Sequence, residues 1–473
     1  LESMNPIDLY SIRVIYPKDK AYQYRFIDCD SSVVISEKET DENKVIEISR
    51  NNLAALKLED NIPTWQNPFK YFTLSSYSSW KDVNVWAQHV FDLPDKQNLQ
   101  AVFEEIFTGN ETIEEKINKI IDYTQDDIRY MGIESGIGSI KPFPPEQVAK
   151  QRFGDCKDKS LLLVALLKEI GIEKAYPVLV NTQLRHALNK QFPSNEVFNH
   201  CIAKFEYEGN TYWIDPTITQ QGGGFKSLFT PDYGKVLVVG LADDSLQQMP
   251  VNKNESATYI IEEYTISSFT EPAKLKIKST RSGFEADNVR AMLEYYSITD
   301  ISKQVTDDLK LYFLEVTKKE DIDITDDMEH NLFTMNHEYE INGFWQDGDM
   351  SSNQLHRGYW LYKFEPQTLY QYIRQSVCEE RSYDFEVVYP LDFNYRVIIH
   401  FHKDILVDDV FNAIENDVFY YEEKIEQLDI NSIMIDYQFK TKVNSINNTE
   451  YKSICENVNE IAKKLPLVVF FPK

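Results

Sequence analysis

The sequence predicts an α+β protein of several domains, in which a mixed core lies between β-rich, sandwich-like regions. Three observations lead to this fold class. The chain has 473 residues, more than one hydrophobic core usually organises. Its first 65 residues divide into short strand-like segments, whereas residues 78–240 alternate between helical periodicity and strand-like runs. Hydrophobic residues make up 42% of the chain, which is typical of ordered globular protein.

Shifts of pattern along the chain predict four regions. Residues 1–65 form a β-rich N-terminal module with strands such as "YSIRVIYP" and "KVIEIS". Residues 66–250 form the core, and "VNKNESAT" after Pro250 is interpreted as a linker. Residues 251–381 form an α+β module with mixed strands and one amphipathic helix, within "NVRAMLEYYSITDISKQVTDDLKLYF". Residues 382–473 form a β-rich C-terminal module.

Within the core, helices and strands follow from the spacing of apolar residues. "SSWKDVNVWAQHVF" and "ETIEEKINKIIDYTQDDI" repeat apolar residues every three or four positions and predict two helices. The run from Leu161 to Leu167 is apolar on every face, so we predict a central buried helix that Asp155 caps. Three strands follow, "YPVLVNT", "FNHCIAKFEYEG" and "NTYWIDPT", and Gly209 and Asn210 join the last two as a hairpin.

The charge of the chain limits the classes of partner. Lys and Arg number 49 and Asp and Glu 76, which gives a net charge of −27. This charge repels phosphate backbones and anionic lipid, so we expect no nucleic-acid partner. No apolar run reaches the roughly 18 to 20 residues of a spanning helix, and no Gly-rich phosphate loop is present. We therefore expect no transmembrane segment and no cofactor.

The five cysteines show no pattern of a shared site. They are odd in number and include no CxxC pair and no zinc spacing, so at least one thiol is free or pairs between chains. Cys201, Cys378 and Cys455 are interpreted as small buried hydrophobes. The others are Cys29 and Cys156.

Cys156 differs because charged residues surround it in "RFGDCKDKS" and a helix is predicted to begin there. The unpaired N–H groups and the positive end of the helix dipole then face the sulfur and stabilise the thiolate. Residues 141–163 hold five cations and three carboxylates in an otherwise acidic chain, which favours the thiolate further. The simpler alternative is a cysteine that packs as a buried hydrophobe, and the polar neighbours speak against burial.

A nucleophilic cysteine needs a base that exchanges its proton and a group that orients this base. Within the core, His186 and His200 follow the cysteine. His186 lies in the polar stretch "LRHALNKQ", whereas His200 opens a strand. With a four-residue loop from Tyr207 to Asn210, Asp215 lies opposite Ile202, one diagonal step from His200 on the same face; a two-residue loop keeps the same face but doubles the step. A three-residue loop would put the two side chains on opposite faces, so the hairpin permits the pairing without requiring it.

Four segments of the core stand out, "RYMGIESG", "PFPPEQVAKQRFGDCKDKSLLLVALLKEIGI", "FNHCIAKF" and "YWIDPT". In order, spacing and flanking residues they resemble the transglutaminase-like core of bacterial multidomain proteins. The resemblance spans roughly Ser75 to Pro250. The flanking β-rich regions are similar to modules that accompany this core in Bacteroidetes-type proteins, and the N-terminal region is similar to only part of such a module.

The resemblance implies a papain-like α+β core, with the nucleophile at the start of the central helix and the base and orienting acid on adjacent strands. On this sequence it implies Cys156 as nucleophile, His200 as general base and acid, and Asp215 as the orienting residue. The oxyanion hole would use the backbone N–H of the cysteine and an upstream donor, for which the candidates are Gln125, Tyr130 and Gln147.

Cores of this kind are similar to transglutaminases, peptidases and amidases, which share a cysteine-bound acyl enzyme. The first hypothesis is a cysteine-dependent hydrolase of peptide or amide bonds, or a transglutaminase-like acyltransferase, with a protein or peptide substrate. The second is a catalytically silent scaffold or binding protein of the cell envelope, whose β modules contact proteins or glycans. A complete triad favours the enzyme, and a blocked cleft or buried sulfur favours the scaffold. The resemblance also suggests an extracytoplasmic location in a bacterium, in the periplasm or at the cell surface.

Other patterns have simpler explanations than a binding site. His400 and His402 in "HFH" share one face of a strand, but no third zinc ligand is evident, so an ordinary exposed strand face is preferred. "DIDITDDMEH" lacks the glycine and the terminal glutamate of an EF-hand loop and is interpreted as a solvated acidic turn. We predict no metal site. Trp80, Trp86 and Trp213 are interpreted as packing residues.

Overall fold

The chain folds into two compact units, Leu1–Thr219 with Gly224–Lys253 and Gln220–Gly223 with Asn254–Lys473. The predicted division into four regions is finer than this and stays a prediction. The computed structural model describes residues 1–93, 98–132, 136–241, 245–251, 256–351, 353–373 and 377–473. Half of the predicted linker, residues 252–255, therefore lies outside the described residues. The α+β fold class is confirmed, because helices and several β-sheets make up the two units.

The N-terminal part of the first unit consists of two small antiparallel sheets. Its strands are β1 Ile7–Pro17, β2 Gln23–Ile27, β3 Val34–Glu39, β4 Asn43–Leu53 and β5 Tyr71–Ser75. One sheet has the order β1-β4-β3, and the other pairs β2 with β5. Ile46 and Ile48 on β4 share an apolar cluster with Tyr24 and Phe26 on β2 and Phe72 on β5. The alternating pattern of the sequence thus buries one face of each sheet in a common core.

The helices described in the first unit are α1 Trp80–Val90, α2 Gln100–Ile106, α3 Ile113–Asp122, α4 Pro145–Gln151 and α5 Cys156–Glu169. Side-chain caps mark the starts of α1, α3 and α5, whereas α2 and α4 begin without a side-chain cap hydrogen bond. The Ser79 hydroxyl accepts a hydrogen bond from the Asp82 N–H at the start of α1. Asp155 caps α5, and every residue of α5 from Lys157 to Leu167 is buried. The prediction of a central buried helix is confirmed.

A five-stranded antiparallel sheet supports α5. The remaining strands of the first unit are β6 Arg129–Tyr130, β7 Phe153–Gly154, β8 Ala175–Val180, β9 His200–Tyr207, β10 Asn210–Ile214, β11 Lys235–Val238 and β12 Gln247–Gln248. The sheet has the order β10-β9-β8-β11-β12, and β6 pairs in parallel with β7. Leu162 and Leu166 on α5 lie in one apolar cluster with Ala203 and Phe205 on β9. The apolar run of the helix therefore packs on the sheet that carries the two strands of the predicted hairpin.

The β9–β10 hairpin has the register predicted for a loop from Tyr207 to Asn210, but the turn is formed by Glu208 and Gly209 and not by the predicted Gly209 and Asn210. Tyr207 pairs with Asn210 and Ala203 pairs with Ile214, so the next residue, Asp215, lies opposite Ile202. The turn residues Glu208 and Gly209 have φ angles of 50° and 79°. Two positive φ angles in a two-residue turn match the twist of the paired strands, and glycine adopts such a value without strain.

The second unit is built on a nine-stranded sheet. The strands of this unit are β13 Thr258–Thr265, β14 Ala273–Ser282, β15 Glu315–Lys318, β16 Asp323–Asp327, β17 Leu332–Asn342, β18 Gln346–Asp347, β19 Tyr359–Phe364, β20 Phe385–Glu386, β21 Asp392–His400, β22 Val410–Glu415, β23 Phe419–Asp429, β24 Ser432–Thr441, β25 Ser445–Ile446 and β26 Leu467–Pro472. The order in the nine-stranded sheet is β15-β17-β14-β13-β21-β24-β23-β22, with β16 also paired to β17. Because β13 and β21 pair in parallel, strands from both sides of residue 382 belong to the same sheet.

The prediction of one amphipathic helix in "NVRAMLEYYSITDISKQVTDDLKLYF" is wrong, because the segment contributes to two helices. α6 Phe284–Leu293 ends before the tyrosine pair, and α7 Ile298–Leu309 begins after it. The Ser297 hydroxyl accepts from the Asp300 N–H, and the Asp300 carboxylate accepts from the Ser297 N–H. This capping box starts a new helix where the apolar spacing alone continues across the break. The other helices are α8 Gln367–Ile373 and α9 Asn448–Lys464.

Two of the cysteines form a disulfide, which corrects their interpretation as separate buried thiols. Cys378 and Cys455 are 77 residues apart in sequence, and their Cα atoms lie 5.6 Å apart. The fold creates this proximity, which no spacing in the sequence indicates. Cys29, Cys156 and Cys201 are free, and Cys201 is buried as predicted.

The histidines of "HFH" are engaged separately. The His400 ring lies 2.8 Å from the Ser432 hydroxyl through Nδ1 and 3.0 Å from a Glu263 carboxylate oxygen through Nε2. His402 lies beyond the end of β21, and its ring centroid is 4.3 Å from that of Phe269. Across the described ranges, no three His, Cys, Asp or Glu side chains cluster as metal ligands, and no helix has the length and apolar character to cross a membrane.

Candidate active site

The first turn of α5 is held by reciprocal hydrogen bonds around Cys156. One Asp155 carboxylate oxygen accepts from the Lys157 N–H at 3.1 Å and from the Asp158 N–H at 3.2 Å. The Asp158 carboxylate accepts from the Asp155 N–H at 3.0 Å and from the Phe143 N–H at 2.7 Å. Cys156 is the first residue of the helix, and its free thiol is half-buried. The capping box thus fixes a thiol at the positive end of a helix dipole.

Gly154 permits this arrangement because a side chain would not fit there. A Cβ atom at Gly154 would lie 2.6 Å from the Cβ atom of Asp158, the residue that closes the capping box. Gly154 also pairs with Tyr130 in the short parallel ladder between β7 and β6. Because of this pairing Tyr130, which is exposed, lies near the start of α5, and its role as an oxyanion donor stays a prediction. Residues 133–135 of the "RYMGIESG" segment lie outside the described residues.

His200 and Asp215 form a buried hydrogen bond. His200 is the first residue of β9 and pairs with Val180 on β8. Its Nε2 atom lies 2.7 Å from an Asp215 carboxylate oxygen, and the two side chains are 13% and 2% exposed. The hairpin register explains this contact, since the two side chains lie one diagonal step apart on one face of the sheet.

The Asp215 carboxylate accepts four hydrogen bonds. One oxygen accepts from the Thr217 N–H at 2.9 Å and from its hydroxyl at 2.7 Å. The other accepts from the Tyr233 hydroxyl at 2.6 Å and faces His200. Burial raises the pKa of Asp215, but its bonds to His200, Tyr233 and Thr217 outweigh burial and hold the pKa below its ordinary value. The carboxylate is therefore ionised at neutral pH despite its burial.

The ring of His200 also interacts with Cys156. Burial lowers the pKa of His200, but the hydrogen bonds and charges of Asp215 and of the Cys156 side chain raise it to about 10. Because the bond to the carboxylate uses Nε2, Nδ1 is the ring nitrogen left for the sulfur. The fold thus brings together the three residues singled out in the sequence, and their catalytic roles stay a prediction.

Gln125 and Lys159, both buried, connect the backbone of Asp215 to α5. The Gln125 side-chain amide donates to the backbone carbonyl of Asp215 at 3.0 Å. The Lys159 ammonium donates to the carbonyl oxygens of Gln125 at 3.0 Å and Ile128 at 2.7 Å. Lys159 is fully buried, and burial lowers its pKa to about 8. These bonds tie α5 to the loop that carries the orienting residue.

The two glutamines proposed as oxyanion donors lie in different surroundings. Gln125 is buried and donates to the backbone carbonyl of Asp215. Gln147 is exposed on α4, and its side-chain amide donates to the side-chain oxygen of Gln151 at 3.3 Å. Their roles in an oxyanion hole stay predictions.

The cations near the thiol have partners of their own. Lys157 pairs with Asp155, and Arg152 pairs with Glu105. Lys159 points to backbone carbonyls, as described above. Three of the five cations counted in the sequence are therefore paired or point to backbone carbonyls, and the helix N-terminus and His200 lie next to the sulfur.

The other histidine of the core makes a separate pair. His186 lies in the 3₁₀ helix Arg185–Lys190, and its Nε2 atom is 2.9 Å from an Asp232 carboxylate oxygen. Its Nδ1 atom lies 3.4 Å from the Gln248 amide. The two side chains of this pair are 42% and 19% exposed. Neither ring nitrogen of His186 has the Cys156 thiol as a hydrogen-bond partner.

Sequence reasoning missed three residues that hold the site together. Thr217 follows Asp215 by two positions, and "DPT" is a pattern typical of an Asx turn, so this contact had a local signal. Tyr233 is 18 residues from Asp215, and Lys159 lies 34 residues from its carbonyl partner Gln125. No local pattern indicates either of these contacts.

Apolar side chains flank the thiol. Cys156 is packed against a buried cluster that includes Leu161 and Cys201, and the half-buried rings of Trp80 and Phe198 pack against the same cluster. The two ring centroids are 6.0 Å apart. Trp86 also packs against this cluster and Trp213 against a neighbouring one, so the interpretation of the three tryptophans as packing residues is confirmed.

The sequence profile of the transglutaminase-like superfamily matches residues 100–215, a range that begins at α2 and ends at the orienting carboxylate. Residues 100–215 form a transglutaminase-like domain. The transglutaminase-like domain holds Cys156, His200 and Asp215, and it belongs to the first compact unit.

A solved structure from Parabacteroides distasonis ATCC 8503, described as a "putative protease", is similar to the whole chain. The TM-score is 0.59 at 10% sequence identity, and the match covers 100% of this chain and 74% of the other. At this identity the likeness shows a shared fold. No curated protein matches the sequence.

Proposed function

We propose that the transglutaminase-like domain is a cysteine-dependent enzyme that hydrolyses peptide or amide bonds, or transfers their acyl group, with Cys156 as nucleophile. One observation carries the proposal: a histidine that hydrogen-bonds a buried carboxylate at 2.7 Å through Nε2 also interacts with a free thiol at a helix N-terminus. The fold likeness to a structure described as a protease supports a peptide substrate.

In the first half of the reaction, the Cys156 thiolate attacks the carbonyl carbon of the substrate. The new C–S bond places the charge on the carbonyl oxygen, and the Cys156 N–H at the start of α5 is a donor for it. When the C–N bond breaks, the His200 imidazolium gives its proton to the leaving amine. The product is a thioester on Cys156 and a neutral imidazole.

In the second half, the neutral His200 imidazole removes a proton from the acceptor. With water the acceptor oxygen attacks the thioester, and a carboxylic acid leaves as the thiolate and the imidazolium are restored. With an amine the same steps give a new amide bond. We propose hydrolysis as the main reaction, with transfer to an amine as its close variant. Asp215 holds the ring by Nε2 in both halves and stabilises its positive charge.

An extracytoplasmic location in a bacterium is part of the same proposal. The disulfide between Cys378 and Cys455 supports it, because disulfides persist in oxidising compartments. Contacts of the β-rich regions with proteins or glycans stay a prediction.

The activated thiol can be tested without a known substrate. We expect iodoacetamide to alkylate Cys156 well below pH 8, measured by peptide mass spectrometry, and His200→Ala to remove this low-pH reaction. His186→Ala is the matched control and should leave it unchanged. The half-buried Cys29 is an internal reference, since burial raises the pKa of its thiol. If Cys156 reacts no faster than Cys29 at any pH, the enzyme proposal fails and the scaffold becomes the leading account.

The acyl enzyme can be trapped with an activated ester. We expect p-nitrophenyl acetate to give a burst of p-nitrophenol and an added acetyl group on Cys156. Adding glycine methyl ester then separates the two variants of the proposal, because an acyltransferase gives the acetylated amine and a hydrolase gives acetate. A steady release of p-nitrophenol without any acetylated Cys156 would contradict the covalent mechanism.

A further inference from the structure

The second unit has a partly open cavity of about 540 Å³ between one face of its nine-stranded sheet and the elements that cover it. The covering elements include α7 and β19, through Leu309 and Tyr362. Phe344 stacks on Tyr362 with ring centroids 3.9 Å apart, and Phe313 stacks on Phe344 at 6.2 Å. The volume falls within the roughly 300–1,000 Å³ of small-molecule sites. An apolar ligand of moderate size therefore fits this cavity.

One residue that lines the cavity is a guanidinium without a carboxylate partner among the described residues. Arg281 on β14 donates to the Ser279 hydroxyl at 3.0 Å and forms no ion pair with any described residue. Burial lowers the pKa of Arg281, and Glu285 opposes this shift through its charge without a hydrogen bond between them. A desolvated cation with one neutral hydrogen-bond partner favours an anionic ligand.

A second residue that lines the cavity is a buried carboxylate without a cation partner among the described residues. Glu262 on β13 is 8% exposed, and its carboxylate accepts from the Tyr264 hydroxyl at 2.8 Å and from the Tyr395 hydroxyl. No ion pair joins Glu262 to any described Lys, Arg or His. Burial raises the pKa of Glu262 by more than the two tyrosine hydrogen bonds lower it, so its charged form is only partly compensated. An ammonium group of a ligand would supply that compensation.

The distance between the two charges follows from the strand register. Arg281 pairs with Thr258, and Glu262 lies four residues further along β13 on the same face of the sheet. Four residues of strand span about 13 Å. An extended tripeptide is about 10 Å long, so its two charged ends can reach both side chains once these lean into the cavity.

The other ionisable groups around the cavity do not compete for these two charges. Burial and then the charge of Arg281 lower the pKa of His337 to about 4, so this ring is neutral at pH 7. Lys363 pairs with Glu365. Asp308 is exposed at the rim, where its carboxylate accepts from Gln304 at 2.9 Å.

We propose that this cavity binds a short apolar peptide with free ends, its carboxylate on Arg281, its ammonium on Glu262 and its side chains among the aromatic rings. The site lies within the second unit, and the proposal does not depend on any chemistry at Cys156. Each charged end of the peptide loses water on binding and forms an ion pair with a side chain of opposite charge. A zwitterion therefore binds better than a fatty acid or an amine, which has only one of the two charges.

Isothermal titration of the full chain with the tripeptide Phe-Leu-Phe tests this proposal. The protein carries Cys156→Ser so that the peptide stays intact during the titration. The N-acetylated and the C-amidated forms of the same tripeptide should each bind about ten- to a hundredfold more weakly, since each loses a hydrogen-bonded charge pair. Equal affinity for the three forms, or no binding of any of them, overturns the proposal.

Two variants assign each end of the peptide. Arg281→Gln should remove the effect of amidation and keep the effect of acetylation, and Glu262→Gln should do the reverse. Lys278→Gln is the matched control, because Lys278 is exposed on the opposite face of β14. Leu309→Trp fills the cavity without changing its charges and should abolish binding. Each variant is checked by thermal unfolding. If Arg281→Gln and Glu262→Gln weaken all three peptides alike, the assignment of the two ends is wrong.

Discussion

The first unit contains two histidine–carboxylate pairs of nearly the same geometry in different surroundings. His200 and Asp215 lie 2.7 Å apart, and His186 and Asp232 lie 2.9 Å apart. The first pair is buried, whereas the second has a histidine side chain that is 42% exposed. Hydrogen-bond length therefore does not distinguish the two pairs.

The two pairs differ in the other hydrogen-bond partners of the histidine and of the carboxylate. The second ring nitrogen of His186 faces the amide of Gln248, and His200 interacts with the Cys156 thiol. Asp215 is also held by three further donors from Thr217 and Tyr233. A buried, fully bonded carboxylate cannot reorient, so it fixes the ring that faces the sulfur. The comparison predicts that only the buried pair affects the reactivity of Cys156.

Replacing the two histidines should give the largest difference. We expect His200→Ala to slow acylation of Cys156 by p-nitrophenyl acetate by at least about 10³-fold, because the thiol loses its base. His186→Ala should change the rate by less than about threefold. Stopped-flow release of p-nitrophenol measures both. Equal losses in the two variants would show that the comparison does not identify the base.

Replacing the two carboxylates should give the next largest effect. Asp215→Asn should slow acylation about 10- to 100-fold, since the ring loses the charge that orients it. The charge of Asp215 also raises the pKa of His200, so its removal should move the high-pH limit of the rate from near 10 to lower pH. Asp232→Asn, the matched control, should leave rate and pH profile unchanged. An unchanged high-pH limit in Asp215→Asn would argue against the His200 assignment.

Removing one donor to Asp215 should have a smaller effect. Tyr233→Phe keeps the ring that packs edge-on against His200 and deletes the hydroxyl 2.6 Å from the carboxylate. We expect a loss of rate of about tenfold, the value of one hydrogen bond to a charged group. Tyr176→Phe on β8 is the control, since Tyr176 is half-buried and does not contact Asp215 through a hydrogen bond. A stronger effect of the control would assign the loss to sheet packing.

Lys159 should affect stability more than rate. Its pKa is about 8 in the folded chain and about 10.4 in an unfolded one, so between these values the unfolded chain binds more protons. The free energy of unfolding from this group therefore rises with pH between 8 and 10.4, by at most about 1.4 kcal/mol per pH unit. Urea titrations of Lys159→Met should lack this rise, and Lys168→Met on the same helix should retain it. A parallel pH dependence of parent and Lys159→Met would contradict the assignment.

Much of the site was predictable because its signals are local. The capping residue Asp155 and the apolar run after Cys156 predict where α5 begins, and the turn between β9 and β10 sets the register of Asp215. Helix starts and hairpin registers depend on neighbouring residues, so a sequence contains them. The break between α6 and α7 was missed because the apolar spacing continues across it, although Ser297 and Asp300 carried the capping signal.

The sequence by itself predicted the α+β class and the helix that presents Cys156; it favoured His200 over His186 and allowed Asp215 to lie on the same face of the hairpin. Tertiary structure alone decided the contacts of Lys159 and Tyr233 with this site, the disulfide between Cys378 and Cys455, and the two unpaired charges in the cavity of the second unit. The first group follows from backbone geometry over a few residues. The second depends on packing between distant segments, where burial sets the free energy of each charge and hydrogen bond.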